Sequence, residues 1–155
     1  MVHGEHQFCT FFLNDLCFGL EVMRVQEIIR HQEMTRVPLA PPVVRGLINL
    51  RGQIVTALDL RRRLELPDRP PEQLPVNVVV QTADGAVSLL VDEIGDVLSV
   101  REQDFERPPE TLRGPARELI RGAYKLDGRL LLILDTDKTV QTHGSVERRS
   151  PTDTH

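Results

Sequence analysis

Residues 45–60, RGLINLRGQIVTALDL, and residues 121–136, RGAYKLDGRLLLILDT, are one pattern written twice. Aligned, they agree at Arg45/Arg121, Gly46/Gly122, Leu50/Leu126, Gly52/Gly128, Leu58/Leu134 and Asp59/Asp135, with strand alternation and turn glycine in phase. A looser match upstream pairs Val22/Val91, Val25/Ile94 and Ile28/Val97. The chain therefore reads as two copies of one unit of short strands. Regularly spaced short strands with Gly and Pro turns imply a pair of small barrels, because closure removes exposed edges. The expected class is all-β. At 155 residues and 40% hydrophobic, the chain can bury a real core, and with 4% aromatics and no Trp that core must be aliphatic.

Within this frame, residues 1–6 are expected to be loose. Residues 7–13 and 16–22 read as a hairpin about Asn14-Asp15, with Phe11, Leu13, Leu16, Phe18 and Leu20 on one face. That register puts Cys9 and Cys17 on opposite faces, so both are expected as reduced small hydrophobes. Residues 22–29, VMRVQEII, change period and predict a short helical turn with Val22, Val25 and Ile28 or Ile29 on one side. A proline-bound loop follows, then a hairpin around Arg51-Gly52 and a short helix near 61–66. The linker PDRPPEQLP joins the halves. Strands 76–82 and 86–91 are expected about Asp84-Gly85, then a strand or short helix at 91–100, a polar stretch at 101–118, and a last hairpin about Asp127-Gly128. Residues 141–155 have the composition of a disordered tail.

Reactive patterns are absent: no GxSxG, Walker loop, GxGxxG, CxxC or HExxH occurs. No catalytic residue, metal ligand or cofactor site is expected. Met1-Val2-His3 resembles a copper-chelating start, but a chance histidine is the simpler reading. Asp59 and Asp135 hold equivalent places after strands, which favours turn capping over an acid pair. Arg61, Arg62 and Arg63 suggest either a nucleic-acid patch or a solvated helix face; the second is preferred. The net charge of −4 and the scarcity of aromatics oppose nucleic-acid binding. The N-terminus lacks a secretory pattern, and no apolar run nears the ~20 residues that span a bilayer, so a cytoplasmic protein without membrane insertion is expected.

Three blocks, F-x-L-x-D-x-x-F-G-L-E-V-x-x-V-Q-E-I, R-G-L-I-N-L-R-G-Q-I-V-T-A-L-D-L and V-S-L-L-V-D-E-I-G-D-V-L, occur at residues 11–28, 45–60 and 87–98. Together they closely resemble the chemotaxis coupling proteins of the CheW family, across nearly all of residues 7–140. The resemblance implies a single domain of two five-stranded SH3-like β-barrels around a shared hydrophobic core, with short helical turns. It implies a non-enzymatic adaptor between the cytoplasmic tips of methyl-accepting chemotaxis receptors and the regulatory domain of the histidine kinase CheA, recruited to receptor arrays at the inner face of the membrane. By motif position the receptor contacts would be Val22, Val25, Glu27, Arg51 and Val97, with Glu27 and Arg51 approaching each other. For the valines, ordinary core packing is an equal alternative. A turn needing only closure would place Asn or Asp before Gly, as Asp127-Gly128 does, and this contrast favours a functional Arg51. The kinase contact would lie near RPPETL, at Thr111 and Leu112, where relatives often carry a bulky aromatic. An adaptor of a type IV pilus or another chemosensory pathway would use the same residues; a small-barrel nucleic-acid binder is the alternative from another class.

Overall fold

A computed structural model of the chain describes residues 4–141. The expectation for the Met1-Val2-His3 start, and that for a tail at 141–155 in all but its first residue, lie outside the described residues. Ten strands and three short helices follow in order: β1 (Glu5–Leu13), β2 (Leu16–Glu21), β3 (Val25–Ile29), β4 (Val44–Leu50), β5 (Gln53–Asp59), α1 (Leu60–Arg63), β6 (Val76–Thr82), β7 (Gly85–Val91), β8 (Glu93–Arg101), α2 (Pro115–Leu119), β9 (Ile120–Leu126), β10 (Arg129–Leu134) and α3 (Thr136–Val140). The all-β expectation holds.

Several local expectations are corrected. Strand β1 begins at Glu5, where Glu5 and His6 pair with Arg101 and Val100, so the start is tied into the sheet sooner than composition suggested. Only Val22–Arg24 is helical, as one 3-10 turn; VQEII is strand, because β6 offers Val25 and residues 27–29 backbone partners. Residues 93–101 are likewise strand. The β6–β7 turn is Ala83-Asp84, since Thr82 pairs with Gly85. Leu16 is 40% exposed although Phe11, Leu13, Phe18 and Leu20 are buried, Leu13 directly opposite it included. The hairpin register itself is as expected: Leu13 faces Leu16, Cys9 faces Leu20 and Cys17 faces Phe12.

The strands form two five-stranded sheets, ordered β8-β1-β2-β10-β9 and β3-β6-β7-β5-β4. Under the internal repeat β1 matches β6, β2 matches β7, and β3, β4 and β5 match β8, β9 and β10. The two sheets then have the same order, yet neither contains one copy alone. Each combines the first hairpin of one copy with the last three strands of the other. The copies are reciprocally exchanged.

Both sheets are drawn round on themselves in the same way. Beyond β3, Thr35 pairs with Leu47 of β4 through two backbone hydrogen bonds of 2.8 Å. Beyond β8, Glu106 pairs with Ala123 of β9 through bonds of 2.8 and 2.9 Å. The repeated glycine sits beside each closure. A Cβ on Gly46 would stand 2.7 Å from the Thr35 carbonyl oxygen, and one on Gly122 2.6 Å from that of Glu106.

Side-chain alternation distributes three cores. Phe18, Leu20, Leu58, Val78, Val80, Leu89, Val91, Leu132 and Leu134 join a large cluster shared by both sheets. Their strand neighbours turn the other way. Val55, Ala57, Val79 and Leu90 fill the interior of one sheet; Phe8, Cys17, Tyr124, Leu131 and Ile133 fill the other. Strands buried on both faces need continuous apolar runs, which is why VVV, SLLV and LLLIL do not alternate with polar residues. Each buried Leu or Val contributes about 1.5–3 kcal/mol.

Candidate functional site

Asp59 and Asp135 cap α1 and α3, accepting hydrogen bonds from the backbone N–H of Arg61 and Lys138, both at 3.0 Å. Capping was the expected role for this pair. The arginine triplet after Asp59 is no solvated face. Arg61 is buried and donates through Nε to Asp92 Oδ1 at 3.0 Å; Arg62 pairs with Asp68 at 3.1 Å; Arg63 donates to the carbonyls of Thr139 and Lys138 at 2.9 Å each. Each guanidinium is spent on holding chain segments together, because four-residue α1 lies where those segments converge.

Asp92, at the junction of β7 and β8, is the hub of a buried network that sequence reading missed. Arg69, from the proline-rich linker, donates to Asp92 at 3.1 Å and approaches Asp59 at 3.5 Å; Arg45 reaches Asp59 at 3.0 Å. The Asn14 N–H donates to Asp92 at 2.8 Å and ties the first hairpin to the same point. Burial opposes charge on Asp92, but the hydrogen bonds from Arg61 and Asn14 outweigh it and hold the carboxyl below the usual aspartate range. Across the repeat the polarity reverses: Arg24, at the β2–β3 junction, pairs with Asp137 of α3 at 2.6 Å. Both crossings between sheets carry an ion pair. The trace in the sequence was a charge inside each V-x-x-[VI] block, Arg24 in one and Asp92 in the other.

The expected approach of Glu27 and Arg51 is seen directly. Glu27 on β3 and Arg51 in the β4–β5 turn form an ion pair, with side chains 24% and 70% exposed. The Arg51 guanidinium, then the Gln26 amide, holds the Glu27 carboxyl below the usual glutamate range. The turn is paid for in backbone strain: Arg51 has φ +52 and Gly52 φ +89, and the Asn49 side chain accepts the Gly52 N–H at 2.8 Å. Glycine adopts this region freely; arginine does not. Asn14 holds φ +57 in the first hairpin, where an asparagine is the favoured choice.

The other expected site residues scatter. Val25 packs against the shared core, as the packing alternative held. Val22 is half-buried in the 3-10 turn beside it. Ile28 points outward, 43% exposed, where a helical turn would have placed it with Val25. Val97 is 56% exposed but stands on β8 in the other sheet, facing Cys9. Thr111 is exposed in the connection before α2, whereas the neighbouring Leu112 turns in against the shared core. The structure brings Glu27 and Arg51 together, with Val25 beside them on β3; it does not join Val97, Thr111 or Leu112 to that pair. Among the described residues no helix is long and apolar enough to cross a membrane.

Known proteins share this architecture. The family model described as a CheW-like domain matches residues 7–143. The chain is 33% identical over 136 residues to the chemotaxis protein CheW of Bacillus subtilis, covering 88% of this chain and 87% of that protein. It is 30% identical over 138 residues to the chemotaxis protein CheW of Treponema pallidum, covering 86% and 81%. The crystal structure of the scaffolding protein TtCheW from Thermoanaerobacter tengcongensis superposes with a TM-score of 0.79 at 25% identity, covering 90% of this chain and 94% of that one. With the duplicated blocks, the two five-stranded sheets and a family match over most of its length, the chain belongs to the CheW family of chemotaxis scaffold proteins.

Proposed function

We propose that this protein is a non-enzymatic adaptor that couples the cytoplasmic tips of methyl-accepting chemotaxis receptors to the regulatory domain of the histidine kinase CheA, acting in the cytoplasm at receptor arrays. The observation that carries the reading is the Glu27–Arg51 pair. It joins the two strongest family blocks on one surface and places an arginine at the positive φ of a two-residue turn, where Asn or Asp would sit with less strain. Strain retained at an exposed side chain is the mark of a selected geometry. A helical receptor tip docking here would meet one fixed cation and one fixed anion beside Val22 and Val25, the few polar anchors and apolar patches that helix-in-groove binding uses. The apolar contribution of Val97 and a kinase contact around Thr111 belong to the same proposal, on surfaces apart from the pair.

Reconstitution tests it. Receptor signalling fragment, CheA and this protein are mixed, each omitted in turn, and CheA autophosphorylation and co-sedimentation are measured. Kinase activity should rise only with all three present. An equal response without this protein would refute the coupling role.

A further inference from the structure

A concavity of about 690 Å³ lies between the connection that follows Thr35 and the start of β4. Three guanidiniums line it, from Arg36, Arg45 and Arg62, together with Met34, Val37 and Leu39, and among the described residues no carboxylate does. With Arg45 and Arg62 each ion-paired to an aspartate, Arg36 is the lining cation left uncompensated among the described residues, on a chain whose net charge is −4. Arg45 and Arg62 pair with Asp59 and Asp68, and Arg62 also donates to the Pro42 carbonyl at 2.9 Å, which fixes the groove floor. Among the described residues Arg36 has no side-chain hydrogen bond or ion pair.

Leu39 adds a second observation. It is fully exposed, at 103%, and holds φ +64, although it is not glycine. The chain keeps a large apolar side chain in water and in a disfavoured conformation at once, and neighbouring Val37 is 37% exposed.

The other copy shows what such a connection does when it is longer. Val43 and Leu119 are equivalent, their carbonyls accepting the N–H of Asp59 and Asp135, both at 2.8 Å. Seven residues separate Thr35 from Val43, against twelve between Glu106 and Leu119. The additional length in the second copy turns Leu112 and Ala116 onto the shared core and forms α2. The first copy has Pro38, Pro41 and Pro42 in its shorter connection, no helix, and an open groove instead.

We propose that this groove docks an acidic, amphipathic segment of a partner protein, a carboxylate on Arg36 and its apolar side chains on Val37 and Leu39. The segment supplies in trans the cover that Leu112 and α2 supply within the second copy. This surface is separate from the Glu27–Arg51 pair. The test selects phage-displayed random 12-mer peptides on the full-length chain and measures the fluorescein-labelled winner by anisotropy. Selected peptides should be enriched in Asp and Glu beside Leu, Ile, Phe or Met, and should bind more weakly as NaCl rises. Arg36→Glu and Leu39→Asp should each weaken binding at least about tenfold with the melting temperature preserved, while Arg51→Ala changes it less than about twofold. No selectable peptide, peptides without an acidic excess, affinity unchanged in both groove variants, or displacement by inorganic phosphate alone, which marks a small-anion site, would each overturn the proposal.

Discussion

Gly46→Ala should open the closure of the β3-to-β4 sheet. The new methyl would stand 2.7 Å from the Thr35 carbonyl oxygen and 3.1 Å from Met34 Cβ. A close carbon–oxygen contact needs ~3.3 Å, so the carbonyl must withdraw by about half an ångström. That oxygen accepts the Leu47 N–H at 2.8 Å, and withdrawal takes the bond past the normal N–H···O range. The reciprocal bond from Thr35 N–H to the Leu47 carbonyl shifts with it. Two weakened hydrogen bonds at ~0.5–1.5 kcal/mol each and overpacking of ~1–3 kcal/mol are offset by ~0.4–1 kcal/mol from a stiffer unfolded chain. The net cost is about 2–4 kcal/mol, or a Tm lower by about 5–15 °C for a chain of this size. Gly52→Ala is the contrast. Its Cβ would meet open space at φ +89, so backbone strain alone should cost about 1–2 kcal/mol. Thermal melts rank the two, and hydrogen exchange locates the damage: in Gly46→Ala the Thr35 and Leu47 amides should lose protection while those of Val79 and Leu89 keep it. Because the same closure holds β3 beside the β4–β5 turn, receptor binding should fall as well. A Gly46→Ala protein with wild-type Tm and protected Thr35 and Leu47 amides would refute the reasoning.

Arg51→Ala and Glu27→Ala should each weaken binding to a receptor signalling fragment about tenfold with little change in Tm, since exposed ion pairs add little stability, and the double variant should be less than additive; calorimetric titration of the three proteins measures this. Arg61→Met leaves Asp92 and its surroundings under-compensated and should cost about 3–5 kcal/mol in urea unfolding, with Arg61→Met/Asp92→Leu recovering a good part of it. Because the folded state holds Asp92 below its usual range, the stability it contributes is present above the unfolded aspartate pKa, ~3.9, and is lost as pH falls through the lower folded value. Stability should therefore drop in acid below about pH 4, and Asp92→Asn should flatten that drop in pH-dependent melts.

What the residues determined unaided is local. The two-residue turn at Asn14-Asp15, the register from Leu13/Leu16 outward, the capping by Asp59 and Asp135, and the repeat itself all rest on interactions within a few residues of chain. The Glu27–Arg51 approach was legible because each block is marked by its own pattern and the charges are opposite. The arginine triplet was misread because a run of like charges looks the same whether solvated or consumed, and the acceptors of Arg61 and Arg63, at Asp92 and Thr139, are distant in sequence. VQEII was misread for a related reason. Its apolar spacing suits a helical turn, and only the backbone of β6 makes it a strand. Tertiary structure alone decided the exchange of the copies. Either copy presents a first hairpin and a third strand of equivalent pattern, so pairing β1 with β3 or with β8 satisfies the same local rules. Packing one shared core from both sheets is what selects β8 for β1 and β6 for β3, since it seats Leu20, Leu58, Val80 and Leu134 in a single apolar interior.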